Sequence, residues 1–336
     1  MANDVKVVIE LLKAAPRLGF GFPLIFAGKQ SKAVAYAEVS SLEELVEAGF
    51  AAETAVYKAA QLLFMQNDCP GTIAVCASDK TTVEALPEVL DKGWRQLIVV
   101  STGTEGESTV AEVAAYVESC GKPAMYYAKV DPTEYATEIT GATEYDRTLF
   151  VAYSGTDVAN PEAALVGATA GLAVGSFTYK NIILKGVTAQ NIKDTTVKKM
   201  HQDGVVTYLL KAGSIVTSEG IVASGEYADI VDSKDYIIQQ IEYQCQRLLN
   251  RVPKLPYDNR GISALEGVVL SVLKDAANNG MIAVNDEGEY EYTVSFATRS
   301  QCADTDISAR QYNEGQFQFT LAGAIHTATI KGTIIA

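Results

Sequence analysis

Apolar and polar positions follow two different periods along the first half of the chain. Short apolar runs predict buried strands at residues 24–26, 72–77, 97–100, 124–128 and 149–153. Apolar stripes at helical spacing, with caps such as Ser41 and Gly49, predict helices at residues 41–49, 51–67, 81–90 and 108–120. Strands that alternate with helices at this spacing favour right-handed crossovers. We therefore expect an α/β domain at residues 19–155, with a mostly parallel central sheet flanked by helices.

Longer helical stripes dominate after residue 155. Helices are predicted at residues 193–203, 235–251 and 263–278, and strands at residues 205–210 and 289–296. Glycines at positions 167, 171 and 175 recur every four residues, which predicts a bare helix face where another backbone packs closely. These elements indicate a second, mixed α/β domain at residues 156–315.

Both ends of the chain carry apolar strand patterns. Residues 5–10 and 316–321 predict strands, and the last fifteen residues, 322–336, are rich in isoleucine and threonine, which also favours a strand. A terminal strand must find a sheet edge, because otherwise its backbone groups stay unpaired. Two possibilities remain open at this point: each strand pairs within its own domain, or it adds to the sheet of a neighbouring subunit. Besides the two domains, we therefore expect two terminal units: an N-terminal arm at residues 1–18, and C-terminal strands with an arm at residues 316–336.

The composition argues against two classes of binding partner and indicates the compartment in which the chain is made. The chain has 41 acidic and 27 basic residues, so its net charge of −14 argues against binding to nucleic acid or to anionic membranes. Five scattered cysteines without a C-x-x-C motif predict reduced thiols. The first residues lack the pattern of a signal peptide, and the least polar run, residues 163–177, is too short to span a bilayer. We expect synthesis in a cytoplasm.

Candidate chemistry is sparse. The only histidines are His201 and His326, and no serine lies in a G-x-S-x-G motif. Residues 27–31 lack the first glycine and the Lys-Ser pair of a phosphate-binding loop. The acidic clusters at residues 286–291 and 304–306 lack the spacing of a calcium loop and predict solvated faces. The sequence therefore predicts no catalytic residue, no cofactor and no metal site.

Four stretches, taken in order, resemble a known family. They are residues 56–67 with 72–76, residues 161–191, residues 235–250 with 264–280, and residues 306–336. Together they resemble the contractile tail sheath proteins of bacteriophages and of R-type phage-tail-like bacteriocins, in the compact form found in prophage-like elements of Gram-positive bacteria. Tyr179 departs from the pattern, because it stands near a position where the family often has tryptophan and proline.

The resemblance implies a structural subunit that assembles with copies of itself. Such subunits form stacked hexameric rings around an inner tail tube protein, contact baseplate and terminator proteins, and contract to drive the tube through a cell envelope. The implied products are a phage tail or a released tail-like particle, assembled after synthesis in a bacterial cytoplasm. Neighbouring subunits are linked through terminal arms, whose candidate residues here are Val5, Val7, Ile9, Ile325, Thr327, Thr329, Ile330 and Ile334. The candidate tube-facing residues are Lys274, Asp275, Arg247 and Arg251.

Two alternatives differ in function. A noncontractile tail assembly protein of related fold would share the arms, but it would not form tubes that change length. An α/β enzyme of unknown type would need a pocket of clustered polar groups, which the sequence does not indicate.

Overall fold

A computed structural model describes residues 20–101 and 105–326. The arm predictions at residues 5–10 and 327–336 therefore lie outside the described residues. The described strands are β1 (Phe22–Ala27), β2 (Val34–Val39), β3 (Ile73–Ala77), β4 (Trp94–Val99), β5 (Met125–Val130), β6 (Thr148–Ala152), β7 (Val205–Lys211), β8 (Ser214–Thr217), β9 (Tyr292–Phe296) and β10 (Gly315–Phe319). The described helices are α1 (Leu42–Glu47), α2 (Ala55–Phe64), α3 (Thr82–Ala85), α4 (Val110–Ser119), α5 (Tyr135–Glu138), α6 (Glu162–Thr169), α7 (Asp194–Gln202), α8 (Ala228–Arg251), α9 (Asn259–Asn278) and α10 (Asp304–Ala309).

One eight-stranded sheet forms the centre of the molecule. Its order is β2-β3-β1-β4-β5-β6-β7-β8, and the six inner strands are parallel. The outer strands β2 and β8 pair antiparallel with β3 and β7. This architecture confirms the predicted α/β class with a mostly parallel sheet. The sheet continues beyond residue 155 through β7 and β8, and the domain boundary drawn there stays a prediction.

Successive residues of the inner strands point to opposite faces of the sheet and fill two separate cores. Ile25, Ile98 and Tyr127 belong to the core that also contains α2 and α6. Their chain neighbours Leu24 and Leu97 belong to the core under α3 and α4. Because both faces are covered, the strands are apolar throughout, which explains why the sequence pattern located them.

A third core joins the two longest helices to a small antiparallel sheet. Helices α8 and α9 pack together, and β9 pairs with β10 in register from Phe296–Gly315 to Tyr292–Phe319. Ile237, Ile241 and Leu273 are among the buried residues of this core. Phe296 and its neighbours on the hairpin pack against it.

Several predicted boundaries are wrong for identifiable reasons. Helix α2 begins at Ala55 instead of residue 51, because the Thr54 side chain accepts a hydrogen bond from the Tyr57 amide and caps it. The helix predicted at residues 81–90 divides into α3 and a 3-10 turn, Leu86–Val89, which contains Pro87 and so lacks one amide donor. Helix α8 begins seven residues before the predicted residue 235.

The predicted terminal strand is also wrong over its described part. Residues 322–326 are irregular, so neither Ile325 nor His326 lies in a strand. The last pairing in this region is a bridge between Ile282 and Leu321. The side chain of His326 is hydrogen-bonded to the protein body, as described below, and the chain therefore leaves the small sheet before residue 325.

The predicted close packing at the glycine row is confirmed. The predicted single helix face is wrong, because α6 ends at Thr169 and only Gly167 lies within it. A side-chain carbon on Gly167 in α6 would lie 2.3 Å from the carbonyl oxygen of Leu63 in α2. A carbon on Gly171 would lie 2.1 Å from the carbonyl oxygen of Asp68. Both distances are far shorter than van der Waals contact, so these backbones can approach only where the side chain is absent.

Candidate functional site

The first half of α8 is fixed to the central sheet by buried ion pairs. Arg95 on β4 binds Asp232 and lies 3.1 Å from Asp235, nitrogen to oxygen. Arg147 makes two hydrogen bonds to Asp235, of which one measures 2.9 Å. Two arginines thus face two aspartates in the protein interior, so the cluster is neutral overall and each charge has an opposite partner.

Two tyrosines extend this buried cluster. The hydroxyl of Tyr179 donates to Asp232 at 2.6 Å, and the hydroxyl of Tyr127 donates to Tyr179 at 3.0 Å. Burial, followed by the negative charge of Asp232, raises the pKa of Tyr179 well above its ordinary value. Burial alone would lower the pKa of Arg95. The charges of Asp232 and Asp235 outweigh this effect, so the pKa of Arg95 is raised. The arginine therefore stays charged and the tyrosine neutral.

Sequence reasoning missed this cluster. Arg95 and Asp232 are separated by 137 positions, so no local pattern connects them. A usable signal was present in each element. Arg95 and Gln96 stand in a run that otherwise reads as a buried strand, and Asp232 and Asp235 are three positions apart on one helix face.

The described chain begins beside α8. The ring of Phe20 contacts Tyr236 edge-on with centroids 5.4 Å apart. The guanidinium of Arg95 lies 4.2 Å from the centroid of the Phe20 ring. Phe20 is therefore held by an aromatic contact and a cation–π contact.

The described chain also ends beside α8. His326 lies 2.8 Å from Glu219 through Nδ1 and 2.9 Å from Thr178 Oγ1 through Nε2. Its ring packs edge-on against Tyr227, the residue before α8, with centroids 4.8 Å apart. Ile325 is 90% exposed, so it has little contact with the body. The C-terminal segment is thus attached at His326.

Glu219 contacts a lysine and a histidine at this attachment point. Lys180 donates to it at 2.6 Å, and His326 contacts its other oxygen. Burial raises the pKa of Glu219, but the hydrogen bonds and charges of Lys180 and His326 outweigh burial, so the pKa lies below its ordinary value. The carboxylate is therefore ionised at neutral pH and can hold the histidine.

The four predicted tube-facing residues lie on the paired helices. Arg247 and Arg251 are exposed near the end of α8, and Lys274 and Asp275 are exposed near the end of α9. None of the four forms an ion pair with another residue of the described chain. The structure thus places them on solvent-facing surfaces, and their role stays a prediction.

The crevice where an α/β sheet usually binds ligands is filled by a side chain. That crevice lies beyond the carboxyl ends of the strands where the strand order reverses, here between β1 and β4. Glu107 accepts hydrogen bonds there from the amides of Thr82 at 2.7 Å and Ser108 at 2.6 Å. A side-chain carbon on Gly28 would lie 2.1 Å from its carboxylate. The side chain of Glu107 thus fills this crevice.

The described histidines have structural partners. His201 Nε2 lies 2.9 Å from the hydroxyl of Ser218, and His326 bonds Glu219 and Thr178. Among residues 20–101 and 105–326, no group of three or more histidine, cysteine or acidic side chains could hold a metal ion. None of the helices described there combines the length and apolar character needed to cross a membrane.

Comparison with known proteins identifies the fold. No protein-family model matches the sequence, and a search among curated proteins found no match. A chain in the six-fold symmetrised baseplate of the anti-feeding prophage matches with a TM-score of 0.74, 15% identity and complete coverage of both chains. A chain in the contracted PVC sheath complex of an extracellular contractile injection system matches with a TM-score of 0.73 and 12% identity, over 99% of this chain and 98% of that one.

A third solved structure agrees with these two. The sheath tail protein of Listeria innocua matches with a TM-score of 0.60 and 10% identity, over 84% of this chain and 90% of that chain. The two injection-system chains match along nearly the whole sequence. The chain therefore has the fold of contractile tail sheath proteins.

Proposed function

We propose that this chain is a structural subunit of a contractile tail sheath. It polymerises as stacked hexameric rings around an inner tube, and contraction of the sheath drives the tube through a target envelope. The observation that carries this proposal is the match over the whole chain to a contracted sheath complex and a six-fold baseplate. In a ring, head-to-tail contacts between copies close on themselves, and axial stacking of rings gives a tube.

The terminal arms are proposed to link neighbouring subunits. Their residues are Val5, Val7, Ile9, Ile325, Thr327, Thr329, Ile330 and Ile334. Attachment of the C-terminal segment at His326, together with the exposure of Ile325, supports an arm that extends away from its own body. Attachment of Phe20 against Tyr236 supports the same arrangement at the other end.

The small sheet offers edges to which such arms can add. The amide of Ala297 bonds the carbonyl of Glu314, and the amide of Thr320 bonds the carbonyl of Glu291. Hydrogen-bonded pairs alternate along an antiparallel ladder, so the backbone groups of Phe317 point away from β9. Within the described chain, no third strand pairs with this hairpin. A two-stranded sheet gains stability from a further strand, which supports an arm of a neighbouring copy as its partner.

The inner tube is the proposed partner of the paired helices. Lys274, Asp275, Arg247 and Arg251 are the proposed tube-facing residues, since they are exposed and charged. Baseplate and terminator proteins are the proposed partners at the two ends of the polymer. A structural role without catalysis is supported by the filling of the ligand crevice by Glu107.

Electron microscopy of the purified chain, alone and with its tube protein, tests the assembly. We expect hollow cylinders with helical striations, in two lengths per subunit. A dispersed monomer or dimer in both preparations would contradict the proposal. Striated tubes of one fixed length would favour the noncontractile tail protein.

Deletion of residues 327–336 tests the arm separately. We expect the truncated chain to remain folded, with an unchanged circular dichroism spectrum, and to lose long cylinders. The substitution Thr329→Pro is a matched test, because proline cannot donate to a strand ladder. Long cylinders of both variants would exclude the C-terminal arm as a link.

Charge reversal tests the tube-facing surface. We expect Lys274→Glu or Asp275→Lys to weaken cosedimentation of the sheath with preformed tubes. Lys58→Glu is the matched control, since Lys58 is exposed on α2. Equal binding by all three variants would remove the end of α9 from the tube contact.

A further inference from the structure

A cavity lies where the central sheet meets the two long helices. It has a volume of about 160 Å³. Its wall combines Gln96 of β4, the turn that follows α6, Asp232 and Tyr236 of α8, and Asn279 at the end of α9. Small-molecule sites usually measure about 300–1,000 Å³, so this cavity is small for a cofactor or substrate. A single water molecule needs only about 10–15 Å³ of such space, so the cavity has room for several.

Gln96 brings an unpaired amide to this cavity. The residue is 7% exposed, and its Oε1 is buried without a hydrogen-bond partner in the described chain. Its Nε2 also makes no hydrogen bond to a described residue. Burying an amide without a hydrogen bond is costly, and nearly all such groups in folded proteins have a partner. An occupant of the cavity that hydrogen-bonds to this amide removes that cost.

Two further polar side chains without partners line the same cavity. The Tyr236 hydroxyl and the Asn279 side-chain amide form no hydrogen bond with any other part of the chain that the structure describes. Tyr179 and Asp232 also line the cavity, and their oxygens have the capacity to accept more than one hydrogen bond. A buried water typically makes about three hydrogen bonds. The strand β4 and the two long helices together offer enough partners for bound water.

The charges beside the cavity favour a neutral occupant. Asp232 binds Arg95 and accepts a hydrogen bond from Tyr179 at 2.6 Å. The neighbouring charges of Arg147 and Asp235 also balance each other. An ion in the cavity would therefore meet no unpaired opposite charge that could replace its hydration. Water needs no such partner.

We infer that ordered water molecules occupy this cavity and hydrogen-bond the side chains of Gln96, Tyr236 and Asn279. The bound water then links β4 to both helices of the pair, beside the ion pairs that hold α8. The sheet and the helix pair are joined here through water as well as through direct side-chain contacts. This inference concerns the folded single chain, and it holds whether or not the chain assembles into a sheath.

Magnetisation transfer from water tests the inference in the dilute monomer. The glutamine side chains are labelled with nitrogen-15, and nuclear and rotating-frame Overhauser effects between water and each amide group are measured. We expect cross-peaks of opposite sign in the two experiments at Gln96, which identify long-lived bound water. Gln66 is the matched control, because its buried amide donates to the carbonyls of Leu62 at 2.9 Å and Lys185 at 3.0 Å. Absence of a cross-peak at Gln96, or an equal one at Gln66, would overturn the inference.

Thermal unfolding of Gln96→Met gives a second readout. Methionine is similar in length to glutamine but has no amide. If water hydrogen-bonds the Gln96 amide, its removal should leave the unfolding temperature unchanged or lower it, whereas removal of an amide without any partner should raise it. Gln66→Met is the control and should lower the unfolding temperature, because it removes the bonds to Leu62 and Lys185. A higher unfolding temperature for Gln96→Met than for the parent would overturn the inference.

Discussion

Asp235 on α8 and Arg95 on β4 lie 3.1 Å apart, and their side chains are 1% and 3% exposed. This ion pair connects α8, which packs against α9, with a central strand of the eight-stranded sheet. It lies in a cluster whose other charges, Arg147 and Asp232, balance each other. Because the interior cannot solvate an unpaired charge, the cluster is sensitive to loss of any one member.

Asp235→Ala should therefore be strongly destabilising. It leaves two buried arginines with one aspartate, and loss of one partner of a buried pair typically costs about 3–5 kcal/mol. Urea unfolding followed by circular dichroism measures the change. Asp286→Ala, at an exposed position, should change the free energy of unfolding by no more than about 0.5 kcal/mol. Equal free energies of unfolding for Asp235→Ala and Asp286→Ala would show that the buried ion pairs do not stabilise the fold.

The attachment of the C-terminal segment should weaken in acid. The pKa of Glu219 is lowered in the folded state from its ordinary value of 4.5. Its contribution to stability is therefore present above about pH 4.5 and is lost as the pH falls through the lowered pKa. Glu219→Gln should lower the unfolding midpoint at neutral pH and reduce its loss on acidification. Glu53→Gln, at an exposed site, should retain the acid dependence of the parent chain.

Glu162 should change the pH dependence of stability in the direction opposite to that of Glu219. Burial, partly opposed by hydrogen bonds from its own amide and from Asn160, raises its pKa from 4.5 to about 7. The folded state then binds a proton that the unfolded chain releases, so stability falls as the pH rises from about 4.5 to about 7. Glu162→Gln should be more stable than the parent above that range, by up to about 3 kcal/mol, because one pKa unit is worth about 1.4 kcal/mol.

The pH series contains its own control. Below about pH 4.5 the carboxyl is protonated in both states, so the difference between Glu162→Gln and the parent should become independent of pH. Thermal unfolding at several pH values measures this. If the difference in stability between Glu162→Gln and the parent stayed constant over the whole series, the pKa of Glu162 would not be raised by folding.

Two glycine-to-alanine substitutions distinguish the effect of close backbone packing on stability from the effect of helix propensity. Gly167→Ala places a carbon 2.3 Å from the Leu63 carbonyl oxygen, so α6 and α2 must move apart and stability should fall by at least about 1–3 kcal/mol. Gly267→Ala meets no atom within 4 Å in the interior of α9 and should raise stability by up to about 1 kcal/mol. Thermal unfolding of both variants measures the contrast. Stabilisation by both would contradict close packing at α6.

The sheet could be predicted where burial dictates residue type. Five of its parallel strands lie in apolar runs that the sequence pattern located, because both faces of the sheet are covered. Strand β2 lies at the sheet edge with most of its residues exposed or partly exposed, and its irregular pairing with β3 removes a regular alternation. No apolar period marks such a strand, and the sequence did not predict it.

The candidate site was predictable only in part. The apolar stripes of α8 and α9 predicted the helix pair and left Arg247 and Lys274 on the exposed side. The first turns of α8 carry buried aspartates instead of apolar residues, so the stripe begins late. Their burial depends on arginines of distant strands, and a contact of this kind is not encoded locally. His326 looked like a strand residue for the same reason, since Glu219 and Thr178 are distant in sequence.

Helix α8 contains 24 residues, which is about 36 Å of continuous rod. One end is embedded beside the central sheet through Asp232 and Asp235, and the other carries the surface formed with α9. Helix α8 is therefore held at its N-terminal end, and a force on its C-terminal end produces a bending moment at the held end. The ion pairs there resist this bending because their hydrogen bonds are directional, whereas apolar contacts can slide. A force on the helix pair would thus reach the central sheet through these ion pairs.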